Sequence, residues 1–122
     1  MITEFIGQGL TDESEDTLGN YLCSSLKEEV FTEVTFFVAF MRSQSLNELK
    51  PFIQKAKSEG RNLTFFVGID EKITSKEALE MLLDLEIEAY IYNSNSYIYH
   101  PKVYLFEGEL RNRIIVGSLK FN

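Results

Sequence analysis

At 122 residues with 44% hydrophobic content, the chain is long enough to bury one core and too short for several. No run of about 20 apolar residues is present to span a bilayer, and the acidic start MITEFIGQGLTDESED lacks the basic-then-apolar order of a signal peptide, so a cytoplasmic protein without a membrane partner is expected. A formal charge of −7 argues against a generally basic, nucleic-acid-coating surface, and one cysteine with one histidine leaves neither a disulfide framework nor a self-contained zinc site; no cofactor or metal is expected.

From about Glu15 to Phe31, Leu18, Tyr21, Leu22, Leu26 and Val30 recur at helical spacing, with Ser14 or Asp12 available as a cap. Cys23 lies inside this helix and reads as a buried structural thiol. The acidic run Asp12 to Asp16 reads as a solvated helix start favoured by the dipole, and Gly7-Gln-Gly9, with no strand before it, as a turn. Val34 to Met41 is β-branched and aromatic with little alternation, as expected of a central strand covered on both faces. Ser45 then caps a helix carrying Leu46, Leu49, Ile53 and Ala56, which ends near Gly60 as a C′ glycine, with Pro51 in its first turn or two. Leu63 to Ile69 is a second buried strand, in which Gly68 allows a turn or a close backbone approach. Thr74 or Ser75 opens a helix with Ala78, Leu79, Leu82 and Leu83 facing inward, and Ile87 to Tyr92 is a third strand.

This alternation implies an α/β fold: a mixed, mainly parallel sheet joined by right-handed crossovers and flanked by helices. An Asn93-Ser-Asn-Ser96 turn leads to Tyr97–Phe106 and, after a turn around Glu107 to Arg113, to Arg113–Ser118, an antiparallel hairpin appended to the parallel part. Tyr97, Tyr99 and Tyr104 are candidates for base stacking, although aromatic residues are simply common in strands and that is the preferred reading.

Charge is uneven along the chain. Residues 99 to 122 carry 4 Lys/Arg against 2 Asp/Glu, net +2, whereas residues 1 to 98 carry 8 against 17, net −9. The basic segment holds the one histidine, His100. In a strand, His100 and Lys102 leave the same face about 7 Å apart. If Phe106 pairs with Ile114, Lys102 falls opposite Ser118 and His100 opposite Lys120, and a slip of one residue disperses that group. Such a set suits a phosphodiester: cations neutralise its charge, while an imidazole kept neutral by a nearby ammonium attacks phosphorus and splits one displacement into two.

His100-Pro-Lys102, the acidic Glu107 and Gly117-Ser118 resemble the HxK…D…GS signature of the phospholipase D superfamily. The run His100-Pro-Lys-Val-Tyr-Leu-Phe106 is most similar to its prokaryotic nuclease and restriction-type branch. Motif resemblance covers Tyr99 to Asn122, and the preceding alternation is similar to the family's half-domain. The resemblance implies His100 as nucleophile, Lys102 as phosphate-binding lysine, Ser118 as the serine of the Gly-Ser element, and Glu107 as a structural position ordering the hairpin. It also implies a metal-independent phosphodiesterase acting on DNA through a phosphohistidine.

Three features depart from the family pattern. Lys120 stands where asparagine is usual, with Asn122 two further on; as a point charge it can still bind phosphate. The spacing from Glu107 to Gly117 is longer, implying a longer turn. The chain stops at the motif, so a fragment spanning an incomplete domain is expected. The second histidine of a complete site is then expected from a homodimer mate or the rest of a longer chain. The rival expectation is a non-catalytic module of a larger restriction or helicase-associated protein that binds nucleic acid or a partner subunit; lipid head-group chemistry, without a membrane-binding segment, ranks third.

Overall fold

A computed structural model describes residues 18–38, 43–69, 76–93 and 102–117. In chain order these form α1 (Leu18–Lys27), β1 (Glu33–Val38), α2 (Ser43–Ser58), β2 (Asn62–Ile69), α3 (Lys76–Asp84), β3 (Glu88–Asn93), β4 (Lys102–Glu107) and β5 (Asn112–Gly117). The expected elements are therefore present in their expected order. The two β-α-β units step in one direction, from β1 to β2 to β3, and the hairpin lies on the other side of β1, so the sheet order is β3-β2-β1-β4-β5. β1 pairs in parallel with β2, and β2 with β3; β4 runs antiparallel to both β1 and β5. The expected antiparallel hairpin thus joins the parallel part through β4, which pairs with the central strand.

Side-chain alternation decides which face is covered. Val34, Phe36 and Val38 of β1 join Leu63, Phe65 and Val67 of β2, Ile87 before β3, Tyr104 and Phe106 of β4, and Ile115 of β5 in one core with Leu22, Leu26, Leu49, Ile53 and Leu82 from the helices. Every strand residue in that core lies on one face. Two crossovers stepping in the same direction place α2 and α3 together, and α1 packs against α2. β1 departs here from the expectation of burial on both faces: its pattern alternates, and Phe37 is 40% exposed on the far side. The absence of alternation in Thr35-Phe36-Phe37-Val38 comes from an aromatic on the open face, not from a second cover among the described residues.

The helix ends follow local rules. Gly60 adopts φ 77° and closes α2 in a Schellman motif, with Gly60 N–H donating to Lys57 O and Arg61 N–H to Ala56 O. Glu86, at φ 55°, does the same for α3, with its N–H donating to Leu83 O and that of Ile87 to Leu82 O. The Lys57 ammonium donates to the carbonyls of Leu85 and Glu86 at 2.6 and 2.8 Å, tying the two helix ends together. Because α2 begins at Ser43, Pro51 falls deeper in the helix than expected, about two turns in. Leu83, expected inward, is 76% exposed, while Ala78 and Leu82 are buried. Cys23 is buried, as expected, and burial pushes its thiol pKa up.

Candidate functional site

Lys102 is the first residue of β4 and one of few buried charged residues, 6% exposed, on the helix-covered face with Tyr104 and Phe106. Its position follows from topology. β1, β2 and β3 end at Val38, Ile69 and Asn93 on one edge of the sheet; β4, running the other way, begins there, and β5 ends there at Gly117. β1 connects onward to β2 on one side and is flanked by β4 on the other, so the order of strands reverses between β1 and β4. The described part of the motif lies at that place.

The register of the hairpin corrects the expectation by one residue. Phe106 pairs with Arg113 rather than Ile114, and Lys102 with Gly117 rather than Ser118. The cause lies at the other end of the hairpin. This register puts Arg113 on the helix side, where its guanidinium sits 5.2 Å from the Phe31 ring centroid and donates to Ser25 Oγ at 2.8 Å and the Glu28 carboxylate at 2.6 Å. It also buries Ile115 and turns Ile114 and Val116 outward. Arg111 donates to the second Glu28 oxygen. Lys102 therefore faces a residue without a side chain.

Glu107 ends β4 opposite Asn112 and is exposed. The turn is ordered by its neighbours: Gly108 N–H donates to Asn112 Oδ1 at 3.2 Å, and a Cβ on Gly108 would stand 2.0 Å from the carbonyl oxygen of Val30. Among the described residues the Glu107 carboxylate takes no hydrogen bond or ion pair. Tyr104 is core rather than a stacking platform: it is 3% exposed and meets the Phe36 ring edge-on at 4.8 Å, and burial holds its hydroxyl pKa far above the usual value. His100, Ser118, Lys120, Asn122, Tyr97, Tyr99, Gly7 to Gly9 and the Asp12 to Asp16 run lie outside the described residues.

The basic character of the last segment is partly structural. Arg111 and Arg113 are committed to Glu28 at the amino edge, four residues along β5 from Gly117, about 13 Å by strand rise. At that same edge lies an open polar hollow of about 420 Å³ lined by Glu33, Lys57, Arg61, Asn62, Glu86 and Glu88 among others. Its cations are largely engaged, although the buried Nη2 of Arg61 has no hydrogen-bond partner among the described residues. Lys57 caps α3, and Arg61, with its side chain 3% exposed, donates through Nε to Phe31 O at 2.6 Å and through Nη1 to Leu26 O, closing the end of α1. In both clusters the described cations are tied chiefly to the protein's own carbonyls and carboxylates. Among the described residues no group of three or more metal-ligating side chains converges, and no helix is long and apolar enough to cross a membrane.

One set of residues escaped the sequence reading. Thr35-Phe36-Phe37-Val38 and Thr64-Phe65-Phe66-Val67 are the same tetrapeptide and pair residue for residue in the parallel ladder. Their second phenylalanines, with Tyr90, form a stack on the open face: Phe37 and Phe66 lie 4.8 Å apart at 7°, and Phe66 and Tyr90 5.0 Å apart at 15°. The recurrence of Thr-Phe-Phe-Val was the available signal.

No protein-family profile matches the chain, and no curated protein matches it.

Proposed function

We propose that the chain is a phospholipase D-like phosphodiesterase module, a metal-independent nuclease whose phosphate site forms at the carboxyl edge around the start of β4. The supporting observation is the place of Lys102, buried at the point of strand reversal and facing the glycine of the Gly-Ser pair. In this reading the Lys102 ammonium holds a non-bridging phosphate oxygen, and His100, two residues earlier, attacks phosphorus. The P–N bond forms as the P–O bond to the leaving group breaks; the departing oxygen takes a proton from the second histidine of a completed site, and water then hydrolyses the phosphohistidine. Ser118 and Lys120 supply further phosphate contacts, and DNA is the substrate proposed.

Replacing His100 with alanine in the full-length protein abolishes cleavage of a DNA phosphodiester in EDTA while the circular dichroism spectrum is retained. Equal cleavage by both forms in EDTA rejects the assignment. One observation favours the rival reading, a non-catalytic module that binds nucleic acid or a partner subunit: Lys102 pairs with Gly117, one residue off the expected register. Salt-dependent DNA affinity with neither cleavage nor a trapped phosphohistidine selects that reading.

A further inference from the structure

The face of the sheet away from the helices carries a continuous apolar row across all five strands. Ladder pairing sets Tyr90 beside Phe66, Phe66 beside Phe37, Phe37 beside Val103 and Val103 beside Val116. The next row toward the amino edge is Thr64, Thr35, Leu105 and Ile114, flanked by Glu88 on β3. Tyr90, Ile114 and Val116 are 50%, 65% and 67% exposed. At strand and residue spacings, the two rows span about 24 Å by about 14 Å. A contiguous apolar patch of a few hundred Å² is about the size of the largest on a typical monomer, and such patches are often functional.

Three observations select the occupant. Among the described residues this face carries Glu33, Glu88 and Glu107 and no lysine or arginine, and none of the three carboxylates is in an ion pair. Phe66 is stacked between Phe37 and Tyr90 and offers neither π face to a nucleobase, and the acidic rim repels phosphate. A second copy would set acid against acid between chains of net charge −7. The footprint also falls well short of the roughly 800 Å² per partner that a stable protein pair buries, and matches one or two helices, each about 10 Å wide.

We propose that this face docks an amphipathic protein helix whose apolar stripe covers the Tyr90–Phe66–Phe37–Val103–Val116 row and whose basic flank meets Glu33, Glu88 and Glu107. The docking is independent of the phosphodiesterase site. It is tested on the full chain by fluorescence anisotropy with two synthetic 18-residue helical peptides of about that length, identical in a leucine and phenylalanine stripe but flanked by lysine and arginine in one and by glutamate in the other. The basic peptide binds at least about ten-fold more tightly, a difference of about 1.4 kcal/mol. Its affinity falls by a similar factor in Ile114→Ser/Val116→Ser, and in Glu33→Gln/Glu88→Gln/Glu107→Gln, which leaves the apolar rows intact should the first variant not fold. The proposal is overturned if the basic peptide does not bind, if both peptides bind equally, or if the folded variants keep full affinity. It is equally overturned by sedimentation showing self-association that Ile114→Ser/Val116→Ser abolishes, or by oligothymidylate binding that Tyr90→Ser abolishes.

Discussion

Lys102 stands opposite Gly117 at the open end of the β4–β5 ladder, while at its closed end Arg113, opposite Phe106, is held by Glu28. One end of the hairpin thus anchors the register, and the other carries the buried, charged Lys102 opposite a residue with no side chain. Removing that charge while keeping the stem separates the chemistry from packing. In Lys102→Met, DNA cleavage falls by about 10²–10³-fold, the cost of losing one preorganised electrostatic contact to the reacting group. Cleavage assays and thermal melting of the same preparation check this; full activity in the folded variant removes Lys102 from the site.

Glu28 sets the hairpin's register through two arginines, and its side chain is 31% exposed, so solvent screens part of the interaction. Glu28→Ala lowers unfolding stability by about 1 kcal/mol in low salt and by less in 1 M NaCl. Urea midpoints at the two salt concentrations measure it. A loss of the same size at both would assign the effect to packing against Phe31 instead.

The loop after β4 approaches Val30 so closely that only glycine fits at position 108. The neighbouring atom is backbone and cannot rotate away. Gly108→Ala therefore costs about 1–3 kcal/mol, the scale of overpacking, read as a lower urea midpoint with an unchanged slope.

Glu86 closes α3 with a left-handed backbone that an L side chain adopts at a cost. Since Lys57 bonds the Glu86 carbonyl and not its carboxylate, Glu86→Gly keeps that bond. The variant gains about 0.5–1 kcal/mol, visible as a higher melting temperature.

Burial raises the Tyr104 hydroxyl well above its ordinary pKa of about 10. The native state therefore keeps a proton that the unfolded chain releases above that pH. The associated stability is fully present below pH 10 and is lost as pH rises beyond it toward the folded value. Unfolding midpoints measured from pH 8 to 11 fall more steeply in the native sequence than in Tyr104→Phe; parallel curves would show that Tyr104 ionises freely when folded.

The order of elements, the strand-helix alternation and the C′ role of Gly60 were legible from residue spacing, because apolar periodicity and turn chemistry act over a few residues. Local patterns also marked Cys23, Leu22, Leu26, Leu49 and Ile53 as interior. The resemblance carried by His100, Lys102 and Gly117-Ser118 pointed to the strand whose beginning the fold sets at the carboxyl edge. Pairing between distant segments was not legible in the same way. Nothing near Phe106 in the chain distinguishes Arg113 from Ile114 as its partner; Glu28 and Phe31, more than 70 residues earlier, make that choice by drawing Arg113 to the helix side. Likewise Phe36 and Phe37 are chemically identical, and the placement of the described helices on one face buries the first and leaves the second on the other face. Local spacing determined what each segment becomes; the tertiary structure decided which face and which register each residue occupies, since both depend on contacts far away in sequence.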